Sequence, residues 1–205
     1  MKKRRVLSVV LAASMFAMLL TGCGGGNQGS AEGSQAAAIG QGVAEAESCI
    51  KIGVSGTPDL DPAIVNTGSS LIAAINIYDT LIFPSNEADE GVIPRVAEDW
   101  TISEDGLTYT FNLKKGIKFH NGDELTASDV VYSMDRLLTI GEGYAYIFTS
   151  YVEPGTTVAV DDYTVEFHLK QAYGPFINAL VRLYILNEDE VKANTQSAGN
   201  YGENG

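Results

Sequence analysis

The sequence predicts a mixed α/β fold for residues 49–205, of the α+β kind in which hairpins and helices follow one another along the chain. Two segments, residues 108–113 and 163–169, alternate apolar and polar side chains as strands do, and each follows a turn signal. Residues 130–138 instead carry apolar side chains at helical spacing. The first 48 residues lack any such folded pattern, so we expect the folded part to begin at Cys49.

The composition is that of one ordinary domain with a hydrophobic core. The chain has 205 residues, of which 45% are hydrophobic, and a formal net charge of −13. Four of its 13 basic residues lie within the first 22 positions, so that without them 9 basic residues face 26 acidic ones, a formal charge of −17. Because so acidic a surface repels phosphate backbones, we expect no nucleic-acid partner. We expect the protein to be a monomer.

Residues 1–22 are predicted to be a secretion signal. Four cationic residues, Lys2 to Arg5, precede the apolar residues 6–20, a run shorter than the ~20 residues of a spanning helix. An uncleaved membrane anchor is the alternative. The run ends in Leu20-Thr21-Gly22-Cys23, which resembles the bacterial lipobox, with small residues before a thiol that can take a diacylglyceryl group. This predicts lipidation of Cys23 and an extracytoplasmic, membrane-anchored protein, on the outer face of the cell membrane or in the periplasm.

Residues 23–48 are predicted to be the lipidated cysteine and a flexible tether. The stretch after Cys23 is rich in Gly, Ala, Ser and Gln and has almost no large apolar side chain, so it cannot form a core. Cys49 at its end is interpreted as a lone thiol, since lipidation would consume the sulfur of Cys23.

The first part of the folded region predicts a strand, a loop and a helix. Residues 50–54 alternate as a strand does, and residues 55–62 are dense in turn-forming residues. Residues 67–78 predict a helix with Thr67 or Ser69 as its N-cap. Residues 84–94 are interpreted as a polar loop.

Hairpins and helices follow. Trp100 and Ile102 lead through a turn at residues 103–106 into the strand 108–113, and Asn121-Gly122 marks a further turn. Thr126 and Asp129 have the spacing of a capping box at a helix start. The remaining predictions are a hairpin of residues 157–160 and 163–169, a helix from Pro175 to about Arg182, and a short strand over residues 184–186.

Several of these segments together resemble the family 5 solute-binding proteins, the dipeptide- and oligopeptide-binding components of ABC importers. The resemblance is carried in order by residues 60–62, 78–81, 92–100, 103–122, 125–133 and 162–169. Arg95, where the family usually has an apolar residue, and Asn112, where it often has a basic one, depart from the pattern.

The resemblance implies a periplasmic-binding-protein-like type II fold, a two-lobed clamp that closes on a solute and then docks on a membrane permease. Peptides are the expected cargo, and a nickel complex, haem or an oligosaccharide are alternatives. Because members of the family are much longer, we expect residues 49–205 to be the N-terminal part of the first lobe, without the second lobe. No cofactor is implied. A lipid-tethered interaction or chemoreceptor module is the alternative from another class.

The sequence offers no catalytic constellation. It lacks HExxH, CxxC, GxSxG and phosphate-loop motifs, and the two histidines, His120 and His168, fall at a turn and on the polar face of a strand. The acidic runs at residues 87–90 and 188–190 are interpreted as solvated charge rather than as paired catalytic carboxylates. We expect no enzyme activity and no metal site, and an extracellular hydrolase is the least favoured alternative.

Candidate ligand contacts come from the loop after the first predicted strand and from the following helix start. Ligands of open α/β folds bind beyond the carboxyl ends of strands, and free amides at a helix N-terminus suit a carboxylate or carbonyl group. The candidates are Gly56, Thr57, Leu60, Asp61, Thr67 and Gly68. Turn formation and helix capping are the alternative roles for each of them.

Overall fold

The computed structural model describes residues 50–88 and 91–198. Cys23 and Cys49, and with them the predicted signal and tether, lie outside the described residues. The helices and strands in chain order are α1 (Gly68–Ile77), β1 (Ile82–Pro84), β2 (Val92–Pro94), β3 (Ala97–Ile102), β4 (Thr108–Leu113), α2 (Ala127–Ile140), β5 (Thr157–Asp161), β6 (Thr164–His168), α3 (Phe176–Ala179) and α4 (Glu188–Ala198). Short 3-10 segments span Ala145–Ile147 and Leu180–Arg182.

The central sheet is antiparallel, with the strand order β3-β4-β6-β5. Its two hairpins are the two that the alternation predicts, and β4 and β6 join them side by side. One face carries Tyr109, Phe111, Val165 and Phe167, all buried, because successive side chains of a strand point to opposite faces. The rings of Phe111 and Phe167 meet edge to face at 5.7 Å. The predicted α+β arrangement is therefore confirmed.

Helix α2 covers the buried face of this sheet. Its apolar side chains Val130, Met134 and Leu137 are buried, and the helix packs against β5 and β6. The helix ends at Gly141, whose positive φ of 72° a residue with a Cβ rarely adopts. The sequence predicts this helix correctly because its apolar residues recur at helical spacing, and these residues form the face that is buried.

Three expectations about local structure are wrong. Residues 50–54 form no strand, and Ile52 in this segment is 58% exposed, because the described residues contain no neighbouring strand to complete its hydrogen bonds. The predicted strand at residues 184–186 is reduced to a single bridge between Thr80 and Tyr184.

The polar loop predicted over residues 84–94 contains the ends of a small hairpin. The acidic run at residues 188–190 carries solvated charge at Asp189 and Glu190, as expected, and it also starts a helix. Pro84 and Pro94 close β1 and β2 at strand ends, where their missing N–H groups cost least. Just before α4, the side-chain oxygen Oδ1 of Asn187 accepts the backbone N–H of Glu190 at 2.9 Å. Acidic side chains in a first helical turn interact favourably with the helix dipole, so this charge run stabilises a helix start.

One buried carboxylate, that of Asp129, caps two helices. Its Oδ2 accepts the backbone N–H of Thr126 at 2.9 Å and completes the predicted capping box of α2. Its Oδ1 accepts the N–H of Glu188 at 2.9 Å, at the first residue of α4. The Ser133 hydroxyl, one turn further along, accepts the N–H of Leu186 at 2.9 Å. The segment leading into α4 is thus fixed to α2 by two side chains.

Replacing Asp129 by alanine is expected to lower the free energy of unfolding by about 1–4 kcal/mol, because two helix caps worth ~0.5–2 kcal/mol each are lost. Asp129→Asn should keep only one of the two caps, since its single side-chain oxygen can accept one N–H and its NH2 group would face the other N–H. Urea denaturation of residues 49–205 measures the difference. Glu104→Gln, in an exposed turn, is the control and should change little; a loss as small as that of Glu104→Gln would contradict the double-capping role.

Candidate solute-binding site

The structure brings together the two halves of the predicted ligand region. The loop of residues 55–62 lies against the N-terminus of α1, where the backbone N–H of Asp59 donates to Ser70 Oγ at 2.9 Å. The hydroxyls of Ser55 and Ser69 are 3.4 Å apart. The expected reason for this proximity does not apply, however, because the strand pairs among the described residues are antiparallel and the loop does not follow one of their strands.

The six candidate residues occupy different environments. Gly56, Thr57 and Gly68 are exposed, and a Cβ at Gly56 or Gly68 would have open space around it. Leu60 is 55% exposed. Thr67 is the N-cap of α1, where its hydroxyl accepts the N–H of Ser70 at 3.2 Å. Contact of these residues with a solute stays a prediction.

Asp61 forms a nearly buried ion pair with Arg136 of α2. Two parallel bonds join them, from Nη1 to Oδ1 at 2.7 Å and from Nη2 to Oδ2 at 2.5 Å. The side chains are 11% and 10% exposed. The Oδ1 atom also accepts the N–H of Ala63 at 3.0 Å. A planar guanidinium matches a carboxylate in this bidentate way, and the carboxylate of Asp61 is thereby engaged within the protein.

Neighbouring contacts fix the loop on its other side. The Tyr78 hydroxyl, just past the end of α1, donates to the carbonyl oxygen of Leu60 at 2.9 Å. The ring of Tyr78 packs against that of Tyr184 at 6.2 Å. A Cβ at Gly143 would lie 2.7 Å from the carbonyl oxygen of Ala63, so only glycine allows these two backbone segments to approach so closely.

Two cavities adjoin this region. One of about 210 Å³ lies beneath the loop and is lined by Leu60, Asp61, Pro62, Tyr78, Arg136, Leu186, Glu190, Val191, Asn194 and Thr195. The other, of about 380 Å³, lies between the end of α1 and residues 117–121 and shares four lining residues with the first. Both are bordered by the first turns of α4, a helix that the sequence did not predict.

Burial affects the ionisation of the tyrosines around these cavities. Desolvation raises the pKa of Tyr184 and, on α2, that of Tyr132. On α4, a hydrogen bond to Glu188 raises the pKa of Lys192, whose ammonium also lies over the Tyr132 ring at 5.5 Å.

Sequence reasoning missed Tyr78, Ser70 and Arg136 as members of this region. Tyr78 and Ser70 read as ordinary residues of the predicted helix α1. Arg136 lies in a predicted helix, and its partner Asp61 is 75 residues away in the sequence. A cation beside an apolar helical stripe was the signal available.

The other chemistry-bearing residues do not join the site. His168 Nε2 is 3.3 Å from Glu166 Oε2 on the polar face of the sheet, and His120 is an exposed residue at the rim of the larger cavity. No group of His, Cys, Asp and Glu in the described ranges could hold a metal ion. Over the same ranges, no helix is long and apolar enough to cross a bilayer.

Comparison with known proteins identifies the family. The profile of the bacterial extracellular solute-binding proteins, family 5 middle, matches residues 91–204. This chain belongs to the family 5 solute-binding proteins. The resemblance seen at β2, β3, β4 and α2 is thereby confirmed, and members of family 5 are solute-binding proteins rather than enzymes.

Family 5 relatives of known name are similar over most of the described residues. The dipeptide-binding protein of Escherichia coli is 36% identical over 141 residues, 60% of this chain and 26% of the relative. Di/tripeptide-binding protein 1 of Pseudomonas aeruginosa is 32% identical over 136 residues, 58% of this chain and 25% of the relative. This family 5 chain spans about a quarter of the length of these curated relatives.

A solved family 5 structure supports the same fold. The ABC transporter-associated periplasmic binding protein DppA of Helicobacter pylori, in complex with the peptide STSA, matches with a TM-score of 0.57 and 31% identity. The match covers 68% of this chain and 30% of that structure. The periplasmic-binding-protein-like fold is therefore confirmed for the part of the molecule that the structure describes.

Separating the Asp61–Arg136 pair is expected to be costly. Arg136→Met or Asp61→Asn should each lower the free energy of unfolding by about 3–5 kcal/mol, because the remaining group stays buried without its partner. The double variant should lose less than the two single losses added together. Urea denaturation of residues 49–205 measures all three.

The control for this cycle is the exposed pair of Asp79 and Arg95, whose side chains are 48% and 54% exposed and 2.7 Å apart. Asp79→Asn and Arg95→Met should each cost about 0–1 kcal/mol. Equal losses at the buried and the exposed pair would show that burial of the Asp61–Arg136 pair does not matter for stability.

Proposed function

We propose that this chain is the N-terminal part of the substrate-binding lipoprotein of an ABC importer, which captures peptides outside the membrane and delivers them to a permease. The observation that carries the proposal is the match of residues 91–204 to family 5. The named relatives at 32–36% identity bind di- and tripeptides, and a solved relative holds a tetrapeptide. No nucleic acid takes part, and the protein acts as a monomer.

The mechanism is capture by closure of a clamp. The exposed loop at residues 55–58 and the start of α1 offer backbone groups that can bind the peptide main chain, which is common to peptides of any sequence. Closure of a second lobe over this surface buries the peptide, and the closed shape is the one that the permease recognises. Micromolar binding corresponds to about 8 kcal/mol, which a few hydrogen bonds away from water can supply.

Residues 49–205 are proposed to form part of the first lobe only. Apolar side chains that a complete lobe would bury are exposed among the described residues, notably Ile52 and Val54 in the extended segment and Ile75 on the outer side of α1. The alternation of residues 50–54 suits a strand, and a strand needs neighbours. The remaining length that the curated relatives have is the proposed source of those neighbours and of the second lobe.

The proposed membrane attachment rests on sequence alone. Signal residues 1–22, the lipobox cysteine Cys23 and the tether at residues 24–48 follow one another in the order that a lipoprotein requires. Two or more acyl chains would hold the protein firmly at the membrane and leave the folded part free to reach a permease.

The complete gene product is expected to bind di-, tri- or tetra-alanine with micromolar or better affinity, measured by isothermal titration calorimetry. Residues 49–205 alone should give no binding heat with the same peptides, because one partial lobe cannot enclose them. Absence of heat with the complete product would exclude these peptides as cargo. Binding by residues 49–205 alone would contradict the division into lobes.

Lipidation is expected at Cys23 and not at Cys49. Cells that express the complete gene product with an alkyne-bearing fatty acid should label the wild type and the Cys49→Ser variant. The Cys23→Ser variant should remain unlabelled, because only position 23 has the lipobox before it. Labelling that survives Cys23→Ser, or disappears with Cys49→Ser, would refute the predicted anchor.

A further inference from the structure

Three consecutive residues of the candidate loop are each bonded to a different part of the structure. The N–H of Asp59 donates to Ser70 at the start of α1, and the carbonyl of Leu60 accepts from Tyr78 beyond its end. The carboxylate of Asp61 pairs with Arg136 on α2. Each contact uses a different group of the loop, so together they fix its backbone at both ends of one helix and on a second helix.

The preceding residues are held far less. Residues 55–57 are exposed and Pro58 is half-buried. The hydroxyl contact of Ser55 with Ser69, at 3.4 Å, lies at the upper limit for a hydrogen bond. The segment at residues 55–58 therefore extends from residues 59–61, and the contacts described above hold these three residues in place.

We propose that Ser70, Tyr78 and Arg136 are positioning residues that hold residues 59–61 as the rigid base of a peptide-contacting segment at residues 55–58. This inference rests on the proposed peptide-binding function. It gives Asp61 a role different from ligand contact, because both of its carboxylate oxygens are bonded to Arg136. Under this proposal, the exposed residues Gly56 and Thr57 contact the peptide directly.

The physical benefit is a smaller ordering cost on binding. A loop that must become ordered when a ligand binds loses conformational entropy at that moment, which weakens the affinity. Three contacts already hold residues 59–61 in place, so these residues lose little conformational entropy when a peptide binds. The same contacts limit the directions available to residues 55–58. The ion pair supplies the most rigid of the three contacts, because a bidentate guanidinium restrains both the distance and the plane of the carboxylate.

The test uses hydroxyl-deletion variants of the complete gene product. Tyr78→Phe and Ser70→Ala each remove one anchor and leave the surrounding packing in place. Tyr163→Phe is the matched control, since its hydroxyl donates a bond of 2.7 Å to Glu124 away from the loop. Arg136→Lys keeps the positive charge but cannot make the bidentate contact.

The dissociation constant for tri-alanine is measured by calorimetry, and stability is measured by urea denaturation. Hydrogen–deuterium mass spectrometry follows the amides of Asp59 and Ala63, which are bonded to Ser70 and Asp61. Tyr78→Phe should weaken binding about five-fold, the effect of one lost hydrogen bond. Ser70→Ala should weaken it at least as much, because the Ser70 hydroxyl contacts both Asp59 and Thr67. Arg136→Lys should weaken it at least as much. All three should speed amide exchange at Asp59 and Ala63, whereas Tyr163→Phe should change neither the affinity nor this exchange.

Unchanged affinity in Tyr78→Phe, Ser70→Ala and Arg136→Lys, with a wild type that binds, would overturn the positioning role and leave the proposed function standing. Equal weakening by Tyr163→Phe would also overturn it, because the effect would then follow global stability. A wild type that binds none of the alanine peptides would instead refute peptide binding and the positioning role together.

Discussion

The nearly buried ion pair of Asp61 and Arg136 constrains the whole candidate site. A carboxylate and a guanidinium with only about a tenth of their side chains exposed cannot separate without leaving a charge in a poorly hydrated place. The pair therefore determines where the segment before α1 crosses α2. The bonds of Asp59 and Leu60 to Ser70 and Tyr78 then follow within hydrogen-bonding reach. This crossing therefore sets the position from which the exposed residues 55–57 extend.

Helix α2 makes this constraint effective because three of its sides have different partners. Val130 and Met134 are buried in the core shared with the antiparallel sheet, so the helix cannot rotate without losing apolar contacts. Asp129 and Ser133 hold the segment that enters α4. Arg136 holds the candidate loop. A displacement of α2 would therefore also displace the loop and change the cavities bordered by α4.

The scaffold that matches the family profile and the loop proposed to contact cargo lie in different parts of the chain. The match at residues 91–204 covers the central sheet, α2 and α4, which belong to the scaffold. The candidate loop and α1 precede it. Buried scaffolds tolerate few changes because packing restricts them, whereas exposed loops can vary with the ligand. Family membership therefore follows from the scaffold residues that the family profile matches.

The sequence by itself determined the elements whose signals are local. Thr67 and Tyr78 bound α1 as predicted, Thr126 and Asp129 form the predicted capping box, and both hairpins of the main sheet lie where the alternation places them. Each of these depends on residues within a few positions of one another, so the pattern along the chain contains the information. The family resemblance has the same origin, since it joins several such local segments in order.

Only the tertiary structure decided the contacts between distant residues. Asp61 and Arg136 are 75 positions apart, and the second oxygen of Asp129 reaches Glu188, 59 positions away. Residues 50–54 carry a strand pattern without a strand, and Pro84 and Pro94 end strands although their surroundings suggest a loop. In each case the outcome depends on whether a partner group is present in space. Periodicity along the chain reports which side of an element is buried, but not which residue buries it.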